Sequence, residues 1–297
     1  MLSILIPSYN YNIVNLVNQV YRQVTDANIL FEIIVADDCS TNKKFIEENK
    51  NIEKLEFCRL IRNNENIGRT ATRNLLANKA TYNLLLFLDA DVLPKYNDFI
   101  SRFNLSENNN FQVIYGGVSY YKEKPEDNKI LRWKYGKERE AKSVKQRLKE
   151  PYFIISQNLL IKKDIFLQMN FMNTNTYGLD ILFSNNLKTN NILVTHIDNP
   201  VYHLGLEENN IFIKKSLEAV KTTIQLEDKG SISNDLRPLQ KSYLSLKKKR
   251  LTFLFSFFIS IFIKIMERNF NSKNPNLFWF DLYRLNYYIE LKSKKSV

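Results

Sequence analysis

Leu84-Leu85-Leu86-Phe87-Leu88-Asp89-Ala90-Asp91 is the stretch on which the reading of this chain turns. Five consecutive apolar residues read as a short buried strand. The run stops on two carboxylates, so the strand delivers both to the rim of a sheet. In the doubly wound α/β layout, that rim is where ligands bind. Two carboxylates with nothing nearby to neutralise them repel each other and invite a hard divalent cation with oxygen ligands. Such a cation in turn suits a diphosphate.

Working outward, Leu2-Ser3-Ile4-Leu5-Ile6-Pro7 reads as a strand stopped by a proline that cannot donate to a ladder. Ile13, Leu16, Val17, Val20 and Val24 recur at helical spacing. Phe31–Ala36 is a second strand, ending on Asp37-Asp38-Cys39-Ser40, and a third candidate lies at Leu55–Ile61. A turn at Asn63–Gly68 leads into a helix over Arg69–Ala80, which feeds the strand ending at Asp89. Strands alternating with helices argue for parallel βαβ units.

Ile6-Pro7-Ser8-Tyr9-Asn10, Val35-Ala36-Asp37-Asp38-Cys39-Ser40, Asn66-Ile67-Gly68 with Arg73-Asn74, and Phe87-Leu88-Asp89-Ala90-Asp91 fall in fixed order and spacing. Each motif is loose alone; the four together resemble the family 2 glycosyltransferases. That resemblance implies the GT-A fold, a Rossmann-like nucleotide-binding sheet with helices on both faces, followed here by a C-terminal helical extension. It divides the chain into a nucleotide-sugar half at 1–105, an acceptor half at 106–210 and a basic helical extension at 211–297.

The resemblance also assigns roles. Pro7, Tyr9 and Asn10 line the donor site, with Tyr9 stacking on the base. Asp37 or Asp38 hydrogen-bonds the base or ribose. Gly68 opens the helix that carries Arg69 and Arg73. These two lie four apart on one helix face, where a guanidinium pairs with Asp37 or approaches the diphosphate bidentately. Asp89 touches ribose or metal, Asp91 is the direct ligand of Mn2+ or Mg2+, and His203 adds a metal or diphosphate contact. Asn158 contacts the donor sugar, or simply ends a strand. The family's Gly…Glu-Asp segment corresponds to Gly178-Leu179-Asp180, with Leu179 where Glu is common. Asp180 is then the base that takes the acceptor proton, or a helix cap.

The activity implied is inverting transfer from a nucleoside-diphosphate sugar, with UDP-sugars foremost. The acceptor is a saccharide or lipid-linked saccharide hydroxyl in cell-surface polysaccharide or glycolipid synthesis. Leu179 motivates an alternative, an inactive GT-A binding module. A dinucleotide-dependent oxidoreductase fares poorly, because no G-x-G-x-x-G follows the first strand.

The 297 residues suffice for a sizeable core. The opening residues read as a strand rather than a signal peptide, and Cys39 and Cys58, without metal-ligand spacing, fit a reduced setting. The expectation is a cytoplasmic protein, either free or peripheral on the inner face of the membrane. Residues 236–297 hold 13 Lys and Arg against 3 Asp and Glu, a net of +10, leaving +2 for the rest of the chain. A nucleic-acid-binding surface would spread basic residues over the folded body, so no nucleic-acid partner is expected. Lys247-Lys248-Lys249-Arg250 precedes Leu251–Ile263, thirteen residues without a charge. That helix is too short to span a bilayer. It either lies on an anionic membrane surface or packs on the catalytic domain. Lys129–Glu150, dense in both signs, reads as a solvated charged helix or an acceptor-side loop.

Overall fold

The computed structural model describes residues 1–105, 111–170 and 177–294. Its strands are β1 (Leu2–Ser8), β2 (Phe31–Asp37), β3 (Cys58–Arg62), β4 (Leu84–Leu88), β5 (Val92–Pro94), β6 (Val113–Tyr115), β7 (Val118–Ser119), β8 (Asn158–Lys162), β9 (Val194–His196) and β10 (Val201–His203). The helices are α1 (Val14–Asp26), α2 (Lys43–Asn49), α3 (Arg69–Lys79), α4 (Ile130–Tyr135), α5 (Val144–Arg147), α6 (Lys163–Met169), α7 (Asp180–Thr189), α8 (Asn209–Asp228), α9 (Pro238–Lys248), α10 (Thr252–Phe270) and α11 (Leu277–Lys294).

Seven strands form one sheet in the order β3-β2-β1-β4-β8-β6-β9. The first four run parallel, and β8 runs antiparallel to both β4 and β6. From β1 the chain winds outward through β2 and β3, then returns to the other side of β1 as β4. The strand order therefore reverses between β1 and β4, and their carboxyl ends flank the crevice in which such sheets bind ligands. Successive strand residues face opposite sides. Ile4, Ile6, Ile33 and Val35 meet the buried stripe of α1, while Phe87 stacks against Phe166 of α6 at 4.4 Å between ring centres. Leu85–Leu88 are all buried, each such side chain contributing about 1.5–3 kcal/mol.

Pro7 does not stop β1. Its pairing with β2 runs from Leu2 to Ser8, whereas its pairing with β4 covers Ser3–Leu5 alone. The proline costs the ladder on one side only. The segments read as two halves, 1–105 and 106–210, contribute strands to this one sheet. A second sheet, β5-β10-β7, sets β10 antiparallel to β5 with His203 opposite Val92. Lys129–Glu150 is not one solvated helix. It breaks into α4, a π-helical turn at Gly136–Glu140 and α5, which Ser143 and Gln146 start as a reciprocal capping box. Arg132 and Arg147 within it are buried.

The chain divides into two units. The first comprises Met1–Tyr120, Glu140–Asn175 and Asn186–Gly205 and holds both sheets. The second comprises Tyr121–Arg139, Thr176–Asn185 and Leu206–Val297 and is helical. Its core gathers Leu131, Phe212, Ile259, Met266, Phe270 and Phe280. Gly178, at φ 91°, precedes α7, and a Cβ there would lie 3.1 Å from Ala219 Cα, so only glycine lets that turn approach α8.

Candidate active site

The carboxyl end of β1 is tied to the loop after β2. Asn10, with φ 50°, accepts the backbone N–H groups of Thr41 and Asn42 at 2.8 and 2.9 Å, and its own N–H donates to Ser40 Oγ at 2.7 Å. Beside Pro7 at this end, Tyr9 is left 50% exposed. Asp37 accepts Ser40 N–H at 2.9 Å and lies 3.6 Å from Arg62 Nε. Asp38 is turned inward: it accepts Ile67 and Gly68 N–H at 3.0 and 2.8 Å and Asn63 Nδ2 at 2.8 Å. Its carboxylate thus holds the turn that starts α3, where Gly68 (φ 86°) offers no capping side chain.

Arg69 and Arg73 share a face of α3, as their spacing requires, but their common partner is Asp89 rather than Asp37. Arg69 Nη2 donates to Asp89 Oδ2 at 2.6 Å, and Arg73 Nη2 donates to Oδ1 and to the Ser156 carbonyl, the latter at 2.9 Å. Both oxygens of the first strand-end carboxylate are therefore engaged by guanidinium groups. Two ion pairs thus already balance the charge of Asp89, the residue for which the resemblance implied a contact with ribose or metal.

Asp91 is placed differently. It immediately precedes β5, and the pairing of Val92 with His203 brings His203 Nε2 to 3.2 Å from Asp91 Oδ2. Leu204 N–H donates to the Asp91 carbonyl at 2.8 Å, and a Cβ added at Gly205 would overlap the Asp91 carboxylate. Burial alone would push the Asp91 carboxyl up. The hydrogen bond and charge of His203, with the charge of Arg69, hold it below the ordinary carboxylate range. Burial, and then the Asp91 charge, raise the Tyr11 hydroxyl. Tyr120 packs edge-on against His203 at 5.5 Å and hydrogen-bonds Glu140.

This pair fits a divalent ion. Two neighbouring donors on an octahedral ion with bonds of ~2.1 Å lie ~3 Å apart, close to the 3.2 Å seen here. Among the described residues no group of three His, Cys, Asp or Glu could hold a metal. The protein would supply two donors and leave the other positions to phosphate oxygens and water, as Mg2+ prefers. His203 Nδ1 is buried without a hydrogen-bond partner among the described residues.

Asn158, Asp180 and the chain's second histidine, His196, have other surroundings. Asn158 is fully buried, its amide donating to the Gly117 and Asn199 carbonyls at 3.1 and 2.8 Å. It braces the strand ends, the plainer of the two parts the sequence allowed it. His196 donates through Nε2 to the Pro151 carbonyl at 2.9 Å, and its Nδ1 accepts Arg147 Nη1 at 3.3 Å. It is a satisfied structural histidine. Asp180 belongs to the second unit, in the first turn of α7, where a negative charge complements the helix dipole. Leu179 beside it is buried. Tyr11, Tyr120 and Gly205 escaped the sequence reading; the glycine one residue past His203-Leu204 was the available sign.

The sheet order, the switch point between β1 and β4 and the helical C-terminal region define the GT-A fold. The profile of glycosyl transferase family 2 matches residues 3–169, more than half of the chain, and the chain belongs to that family. A Haemophilus influenzae protein described as an uncharacterized glycosyltransferase is 33% identical over 118 residues. That match covers 39% of this chain and 38% of the relative, well under half of its length. Among solved structures, the mannosyltransferase PcManGT from Pyrobaculum calidifontis, in complex with GDP-Man and Mn2+, is similar in fold. Its TM-score is 0.55 at 14% identity, over 81% of this chain and 68% of that one.

Proposed function

We propose that this chain transfers a sugar, with inversion, from a nucleoside-diphosphate sugar to a hydroxyl of a saccharide or lipid-linked saccharide acceptor. The observation that carries the reading is the approach of Asp91 Oδ2 to His203 Nε2, 3.2 Å apart beside the carboxyl end of β4. Asp91, with His203, would hold Mn2+ or Mg2+, which as a Lewis acid stabilises the departing nucleoside diphosphate. Tyr9 offers its exposed ring to the base, and Asp37 is the nearer of the two β2 carboxylates to a role with the nucleoside, since Asp38 is committed to the α3 turn. Arg69 and Arg73 fix Asp89 and so set the rim on which the donor rests. The proton of the attacking hydroxyl falls to Asp180 on the family motif alone. UDP-sugars lead by family frequency, while the relative that binds GDP-Man keeps guanosine donors in the set. Family resemblance puts such an activity in cell-surface polysaccharide or glycolipid synthesis.

The test is thermal melting with UDP or GDP, with and without Mn2+, followed by assay of sugar-nucleotide turnover. A nucleotide at about a hundred times its Kd adds ~2.7 kcal/mol of stability. That increment should require metal and vanish in Asp91→Asn. An equal increment without metal, or one retained by Asp91→Asn, would refute the metal assignment. Leu179, buried where the family commonly has Glu, favours one second reading, a module that binds donor without turning it over. Metal-dependent nucleotide binding with no transfer or hydrolysis of any sugar nucleotide would select it.

A further inference from the structure

α10 carries two apolar faces, and among the described residues one packs into a core while the other is exposed. Ile259, Met266 and Phe270 enter the core shared with α11 and α8. On the opposite side Phe253, Phe257, Ile261 and Ile265 step by four along the helix, with Phe258 and Phe262 beside them. All six are exposed, from 49% at Phe262 to 81% at Phe253. Scattered exposed apolar residues are ordinary, but a contiguous row of this size marks an interaction surface.

The charges around it decide the occupant. Lys247, Lys248, Lys249 and Arg250 lie exposed directly before α10, and among the described residues none of the four is ion-paired. The first turn of α10 has no acidic residue. Lys247 and Lys248 close α9, whose negative dipole end they complement, and Lys249 and Arg250 follow before α10; together the four form one exposed positive cluster that attracts an external anion. Lys264 and Arg268 are exposed beside the far end of the row, with stems long enough to lie along an apolar layer while their charges stay in water. A second copy of this chain would set one basic cluster against another. An anionic bilayer supplies both an apolar layer and the opposite charge.

We propose that the exposed face of α10, together with Lys247–Arg250, lays the second unit on an anionic lipid surface, with the helix in the interface plane. No helix among the described residues is long and apolar enough to cross a membrane. The proposal is independent of the transfer reaction.

Flotation of the full chain with vesicles of phosphatidylcholine, alone or mixed with phosphatidylglycerol, tests it. Each basic residue close to an anionic surface multiplies binding about fivefold. Replacing all four residues Lys247–Arg250 by Gln should therefore weaken binding to the mixed vesicles about tenfold or more. Salt at ~1 M, where screening shortens to ~3 Å, should leave a residual binding that Phe257→Ser with Ile261→Ser removes. Both positions are exposed, so the melting temperature should hold; if it falls, the Gln variant still decides. Equal binding to the two vesicle types, or binding to neither, would overturn the proposal. So would resistance to alkaline extraction, which signals a spanning helix, or a dimer abolished by Phe257→Ser, which makes the occupant a second copy.

Discussion

At Asp91 two separated stretches of sequence meet: the turn after β4, and the segment that carries His203 and, two residues on, the backbone of Gly205. The absence of a side chain at Gly205 is what leaves room for the carboxylate. Gly205→Ala should displace Asp91 and weaken Mn2+ affinity about tenfold to a hundredfold, the range for disturbed ligand support. The cost in stability should be about 1–3 kcal/mol, as for other overpacked sites. A calorimetric metal titration beside a urea melt measures both, and unchanged metal affinity would remove Gly205 from the site. His196 gives a pH signature. Burial, and the Arg147 charge against the opposing pull of the Pro151 carbonyl, hold its pKa below the ordinary 6.5. Its contribution is then fully present above pH ~6.5 and lost as pH falls toward the lowered folded value, because the unfolded chain takes the proton first. Stability of the wild type should fall more steeply with acidification than that of His196→Gln, by at most about 1.4 kcal/mol per pH unit. Parallel curves from urea melts between about pH 8 and pH 5 would show that His196 is not the group responsible. The types of residue in this site were legible in the sequence, but their pairing was not. Asp89 and Asp91 look equivalent there, and only the positions of α3 and β10 give one to arginines and the other to a histidine.

Among the elements, α3 is the one whose sequence and position act together. Its spacing puts Arg69 and Arg73 on one face, but the two side chains differ in surroundings: 42% exposed for Arg69, 6% for Arg73. Arg73→Met leaves a buried carboxylate short of a partner and uncovers the Ser156 carbonyl, at an expected cost of about 3–5 kcal/mol. Arg69→Met should cost about 1 kcal/mol or less, since water screens an exposed pair and Arg73 still holds Asp89. Urea denaturation of the two variants checks the ordering, and equal losses would contradict it. β4 and α3 could be read to within a residue because an apolar run and a capping turn are local signals. Lys129–Glu150 could not. Its charges suggested solvent, yet Arg147 is buried, donating to the Tyr115 and Ile197 carbonyls at 2.9 Å each. An arginine that satisfies carbonyls distant in sequence carries no local mark.

For the whole molecule, the chemistry of transfer needs a base, and Asp180→Asn is the experiment that assigns it. Turnover should fall at least about a hundredfold with donor affinity nearly unchanged; a matching loss of nucleotide binding would return Asp180 to a structural part at the start of α7. The basic extension reads the same way at this scale. Composition located its charge, and the uncharged run Leu251–Ile263 foresaw an apolar helix. Two uses of that helix stood as rivals, packing or membrane contact. In the second unit α10 packs by one face and exposes the other, so packing does not exhaust its apolar surface. By itself, then, the sequence determined the α/β class, the family, the strand ends that carry aspartates and the charge of the tail, because each is written in a local pattern or a total. Only the tertiary structure decided that Asp91 rather than Asp89 meets His203, that Asn158 is walled in, that Asp38 serves the α3 turn, and which face of α10 remains open. Those outcomes depend on strand register and on which helix lies beside which strand end, and contacts between residues a hundred positions apart leave no periodicity to read.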